Sequence, residues 1–175
     1  DAGLAPRKSL LLGTKSKPIL IEPTKTKKVK VLLEQPIEFE LPKAESSFLE
    51  KHGVKHYKLI NAGNRHLVIA TKKISSFDLD GLSLKLRKRL FFKDVNISLF
   101  NKKDKALELR TNEAGAGETL SCGSASAAAA SFNIKHLGSL KIISAGGELS
   151  IRRINDKLEM VGPAEFICEG VWQRN

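Results

Sequence analysis

The run CGSASAAAASFNIKH, Cys122 to His136, constrains this chain more than any other stretch. Its first two turns carry small side chains on every face, so as a helix it has no polar stripe to turn towards water. Such a helix belongs inside a protein, where small residues let neighbouring backbones approach closely. Ser121 is placed to cap its start and Gly138 to stop it. A buried helix needs a sheath, and the rest of the sequence supplies strands. Short alternating or apolar runs recur as KPILIEP, KVKVLLEQPIEFEL, YKLINAGNRHLVIA, NISLF, ALELR, SLKIIS, GELSIRR and KLEMVGPAEFICEGVW. GELSIRRINDKLEMV reads as a hairpin turning at Asn155 and Asp156, whose short polar side chains tolerate the backbone a tight turn requires. A second helix, at the surface, is expected in DLDGLSLKLRKRLF, where apolar residues recur three and four apart, with Gly81 as its weak point. The class expected is α+β, a sheet wrapped around one helix.

At 175 residues the chain can bury an ordinary domain core. No apolar run reaches the roughly 20 residues of a membrane helix, and the opening DAGLAPRKSL lacks the apolar stretch of a secretory signal; a cytoplasmic location is the expectation. The net charge of +11 raises the idea of a polyanion partner. The segment from Thr111 onward is nearly neutral, however, with 6 Lys and Arg against 7 Asp and Glu. The basic runs elsewhere are interleaved with apolar residues and carry few aromatics on which bases could stack, so they read as solvated faces and nucleic acid is not the expected partner. Two cysteines, Cys122 and Cys168, are too few for a disulfide framework and lack metal-ligand spacing.

Cys122 opens the buried helix, where unpaired backbone N–H groups and the helix dipole favour a thiolate. The N–H groups of Gly123 and Ser124 would then form an anion site suited to a carboxylate, and a base beside a bound carboxylate can take a proton from the carbon that bears it. Position alone equally allows a small buried core thiol. The same two-sided reading applies to other polar residues nearby in the motifs. Asn64 can be a turn residue, Asn96 a strand residue with its hydrogen bonds met, Glu113 a solvated loop acid and His66 a core histidine. Cys168, in EFICEGVW, is expected to pack in a core.

The residues NEAGAGETLSCGSASAAAA resemble the second cysteine motif of diaminopimelate epimerases, Glu-Arg-Gly-x-Gly-Glu-Thr-x-x-Cys-Gly-Thr/Ser. NAGNRHLVI is similar to the family's Gly-Asn-Pro-His segment, FFKDVNISLF to its Phe-Pro-x-x-x-Asn-Val strand, and GGELSIRRINDKLEMVGPAEFICEG to its terminal hairpin, all in family order. The resemblance implies a cofactor-independent isomerase that interconverts LL- and meso-diaminopimelate, a lysine and peptidoglycan precursor, on a fold of two strand-rich barrels, each around a central helix. It implies that Cys122 is one of two catalytic acid/base thiols and that Gly123 and Ser124 hold the substrate carboxylate through their backbone N–H groups. It further implies that Asn64 and Asn96 hold the far end of the substrate, that Glu113 contacts its amino group, and that His66 belongs to the catalytic surroundings. No cofactor and no metal are expected.

Inversion at an α-carbon needs one group on each face, and the 175 residues carry one of the family's two cysteine motifs. The opening DAGLAPRKSLLLGTKSKPILIEP resembles the family's crossing between domains. Residues 1–30 are therefore expected to be that crossing and first strands, and 31–175 a C-terminal domain. The expected partner is a separate N-terminal half or a second copy, and the chain alone is expected to be inactive. A degenerate half kept for ligand or partner binding is the alternative. The family's motif arginine is Ala114 here, the glycine after Gly-Thr/Ser is Ala125, and the proline of Gly-Asn-Pro-His is Arg65, which either replaces the lost cation or points to solvent.

Overall fold

A computed structural model describes residues 9–13, 18–26, 28–134 and 138–171. Four strands come first: β1 (Leu10–Leu12), β2 (Ile19–Pro23), β3 (Lys28–Glu34) and β4 (Ile37–Phe39). A helix, α1 (Lys43–Lys51), leads into the hairpin of β5 (Tyr57–Asn61) and β6 (Arg65–Ala70). After α2 (Leu79–Arg87) and a short 3-10 turn at Leu90–Phe92 come β7 (Asn96–Lys103), β8 (Ala106–Glu113) and β9 (Gly117–Thr119). The chain continues through α3 (Gly123–Asn133), β10 (Ser139–Ser144), β11 (Gly147–Ile154) and β12 (Lys157–Pro163).

The strands form one 12-stranded sheet in the order β1-β2-β3-β12-β11-β10-β8-β7-β6-β5-β4, with β9 paired to β8 alone. Among the described residues this ladder does not close on itself. The architecture is α+β as expected, with a sheet open at β1 and β4 where the family resemblance implied a barrel.

Two neighbouring pairs, β6 with β7 and β8 with β10, run parallel, and each is joined through a helix. The two crossovers step the same way along the sheet while their strands run in opposite directions, since β7 and β8 are antiparallel. Sharing one crossover hand, they place their helices on opposite faces. Helix α3 lies against β5, β6, β7, β8, β10 and β11. Its Ala125 to Ala130 are all buried, among Ile60, Val68, Phe100, Leu107, Leu109, Ile142, Ile151 and Leu158. The opposite face of β5 to β7 packs Leu59, Leu67, Ile69, Ile97 and Leu99 against Leu49 of α1, Leu79, Leu82 and Leu86 of α2, and Phe92.

The small-residue helix is thus sheathed as its composition demands, with two differences in its ends. Its cap residue is Cys122 itself, without a side-chain cap bond, rather than Ser121. It stops at Asn133, because Ile134 is already extended at φ −90° and ψ 101°; residues 135–137, where its end was expected, lie outside the described residues. Helix α2 is shorter than expected and amphipathic, burying Leu79, Leu82, Ser83 and Leu86 while Asp80, Leu84 and Lys85 face outwards. Helix α1 was not expected at all. The Asn155–Asp156 turn is as read, Ile154 pairing with Lys157 and Asn155 at φ 51°.

Candidate functional site

Strands β6 and β7 begin, and β8 ends, at the same end of the sheet, and the register sets His66 directly opposite Asn96. Alternation then decides which side chains face α3. Val68 on β6, Phe100 on β7 and Leu107 and Leu109 on β8 pack on that face, so His66, Asn96 and Glu113, an even number of residues away, share it.

Short hydrogen-bond links bring the motifs together. Cys122 Sγ lies 3.3 Å from Glu113 Oε2, as a donor to that carboxylate, and 3.4 Å from Ser124 Oγ. Ser124 Oγ is 3.0 Å from His66 Nε2, which is 2.8 Å from Asn64 Oδ1. Asn96 Oδ1 accepts the backbone N–H of Ala114 at 2.9 Å, holding the turn that follows Glu113. The first backbone N–H groups of α3, at Gly123 and Ser124, have no acceptor within the helix, which leaves them available as donors.

Two supports were not singled out from the sequence. Thr119 donates its hydroxyl to Glu113 Oε1 at 2.7 Å, so both carboxylate oxygens are held; strand alternation in GET, which puts Thr119 opposite Thr111, was the available signal. Gly146 donates its N–H to Leu120 O at 2.7 Å, and a Cβ there would meet that oxygen at 3.0 Å. That close approach fixes the loop leading to Cys122. Behind the site, Arg110 pairs bidentately with Glu118 at 2.7 Å for both contacts and donates to the carbonyls of Ile74 and Phe77, which ties the β8–β9 hairpin to the segment before α2. The turn itself needs left-handed backbone at Gly115 (φ +84°) and Gly117 (φ +77°).

The electrostatics correct one expectation. Cys122 stands at a helix start that favours a thiolate but is only 7% exposed, and burial pushes its thiol above the ordinary value, with Glu113 adding to the rise. The hydroxyl of Ser124 and the N–H of Ala125 oppose this. The helix start does favour the thiolate, but desolvation outweighs it, so the resting form is the thiol. His66 is fully buried, and burial lowers its pKa from 6.5 to about 4 against the pull of Glu113. It is neutral, and its Nδ1 has no hydrogen-bond partner. Arg65 lies on the other face, its guanidinium 5.8 Å from the Phe91 ring centre. Cys168 is exposed, not packed in a core, because the chain after Pro163 has left the sheet. Leu120, beside the site, is 71% exposed. Two hollows, of about 180 and 300 Å³, lie away from this cluster, the first around His56 and Phe77, the second between β4 and β5. No group of three or more His, Cys, Asp or Glu among the described residues is arranged to hold a metal.

Known proteins resemble the chain in fold and in sequence. Solved structures similar to this one include a phenazine biosynthesis PhzF-family protein from Enterococcus faecalis, with a TM-score of 0.61 and 15% identity over 92% of this chain and 63% of that one. A PhzC/PhzF protein from Clostridium difficile gives 0.61 and 14%, over 95% of this chain and 66% of that one. At such identities the likeness is one of fold. In sequence, a diaminopimelate epimerase from Methanocella arvoryzae is 35% identical over 134 residues, 71% of this chain and 47% of that protein. One from Buchnera aphidicola is 29% identical over 96% of this chain and 64% of its own length. The chain spans about half to two thirds of these relatives. The sequence model of diaminopimelate epimerase matches residues 58–167, which include every residue of the cluster, and the chain belongs to the diaminopimelate epimerase family.

Proposed function

We propose that this chain is the second domain of a cofactor-independent amino-acid epimerase, in which Cys122 exchanges a proton with the α-carbon of diaminopimelate on one face. The observation that carries the reading is the convergence of Cys122, Glu113, Ser124, His66 and Asn64, from three separated stretches of sequence, into one continuous chain of contacts at the start of a buried helix.

In this reading the substrate carboxylate docks on the Gly123 and Ser124 N–H groups, which places the α-carbon beside Sγ. The thiol state favoured by burial makes Cys122 the proton donor in its resting form, and a thiolate on the opposite face removes the α-proton. In the reverse direction the roles exchange. Glu113, anchored by Thr119, contacts the substrate ammonium, while Asn64 and Asn96 face its far end with their amide N–H groups, because their oxygens are committed to His66 and to Ala114. The opposing thiol comes from a first domain, joined through residues 1–30 or supplied as a separate polypeptide, and a strand-rich barrel around α3 is completed in the whole protein.

The test is stereoisomer analysis of LL-diaminopimelate incubated with the 175-residue chain, with a separately expressed family first domain, and with their mixture. Turnover in the mixture and none with either part supports the reading. Turnover by the chain alone refutes the need for a second thiol. A mixture that binds substrate without turnover favours the alternative, a domain kept for recognition.

A further inference from the structure

The direction of the hydrogen bonds around Ser124 carries a consequence for the sulfur. Asn64 Oδ1 can only accept, so the 2.8 Å contact requires the proton of neutral His66 to sit on Nε2. With that proton in place, Nε2 cannot accept from Ser124, which lies 3.0 Å away. The serine hydroxyl proton is therefore free for its other neighbour, Cys122 Sγ at 3.4 Å. Glu113 Oε2, at 3.3 Å from the same sulfur, has only acceptor capacity as a carboxylate and can serve the S–H alone.

We infer that the Cys122 sulfur changes partner with its protonation state, donating to Glu113 as a thiol and accepting from Ser124 as a thiolate, and that His66 and Asn64 are positioning residues that keep the Ser124 hydroxyl turned towards it. The proton leaves Sγ for the substrate α-carbon in one direction and returns from it in the other, so the hydroxyl acts as a fixed donor and never as the proton source. The groups around the sulfur are few. Glu113 on β8 is the charged group it feels, neutral His66 on β6 stands behind Ser124, α3 adds the Ala125 N–H, and Met160 of β12 brings an apolar thioether against Gly123. The importance of this exchange for turnover rests on the acid/base role proposed for Cys122. The exchange itself can be read without substrate.

The experiment is a pH titration of thiolate ultraviolet absorbance on the full chain carrying Cys168→Ser, so that one cysteine reports. A hydrogen bond to a charged group is worth a factor of about ten or more in population. Ser124→Ala should accordingly raise the midpoint by about one pH unit, and Ser124→Thr, which keeps the hydroxyl, should restore it. Asn64→Ala, at an exposed position, releases the Nε2 proton from its acceptor and should raise the midpoint in the same direction, whereas Glu113→Gln should lower it. An unchanged or lowered midpoint in Ser124→Ala overturns the inference, as does an elevated one in Ser124→Thr or an unmoved one in Asn64→Ala. Shifts of the expected sign with no epimerisation in the reconstituted mixture would refute the proposed function while leaving this exchange standing.

Discussion

Cys122 stands at the start of α3, where a thiolate is favoured, inside a pocket of low exposure, where it is not, and the second effect prevails. That balance reverses the reactivity expected from sequence position. At neutral pH a thiol reagent should modify exposed Cys168 well before buried Cys122, and mass spectrometry of partially labelled protein will show which goes first. His66 gives a second prediction. Its folded pKa of about 4 lies below its ordinary 6.5, so the unfolded chain takes up the proton first. The stability contributed by the neutral ring is complete above pH 6.5 and is lost as the pH falls towards 4, a change of about 3 kcal/mol. Urea unfolding across that range should show this slope, and His66→Gln should flatten it. The residues of the cluster were legible because each belongs to a short motif with several fixed neighbours. Thr119 was overlooked although it lies within the cysteine motif, because its role shows only once β9 is paired with β8, and Gly146 was not legible, since its role depends on a backbone approach from the β10–β11 turn that no local pattern announces.

Among the elements, α3 was the most legible because all-round small side chains leave a helix one environment. Ala128 is fully buried with the sheet on several sides, so Ala128→Leu should overpack the core and cost about 1 to 3 kcal/mol in chemical unfolding. Helix α2 explains its own awkward glycine. Asp78 Oδ1 accepts the Gly81 N–H at 2.9 Å, and a Cβ at Gly81 would sit 2.0 Å from the other carboxylate oxygen. Gly81→Ala should therefore lose the cap, about 1 kcal/mol, against a propensity gain of similar size. The decisive comparison is a cycle with Asp78→Ala: Gly81→Ala should stabilise in that background and not in the native one. Helix α1 escaped notice because it has nine residues, a proline as its cap residue and Leu49 as its one buried side chain, too little for a visible apolar stripe. Most strands were readable, though β9 was not and the last run was expected to continue past Pro163; their pairing was not readable. Nothing in SLKIIS says that it runs parallel to ALELR across an intervening helix.

At the scale of the molecule, the sheet ends in β1 and β4 rather than closing, and the cluster occupies one end of it. Closure depends on which strands meet, a long-range property that the described strands leave open at β1 and β4, whereas the wrapped helix is a property of one segment and was legible from it. Under the proposed function the chain would supply one thiol, one carboxylate and a pair of helix N–H donors to a reaction that needs a proton donor and acceptor on opposite faces of one carbon. The central claim is that Cys122 Sγ is one of those two groups. Its most direct test is incorporation of solvent deuterium at the α-carbon, followed by stereoisomer separation, in the reconstituted two-domain protein with and without Cys122→Ala. The account predicts deuterated product of inverted configuration from the native pair and a loss of about 10²- to 10⁴-fold in the variant, the usual cost of removing an acid/base group. Inversion in Cys122→Ala at a rate within tenfold of the native pair would contradict it.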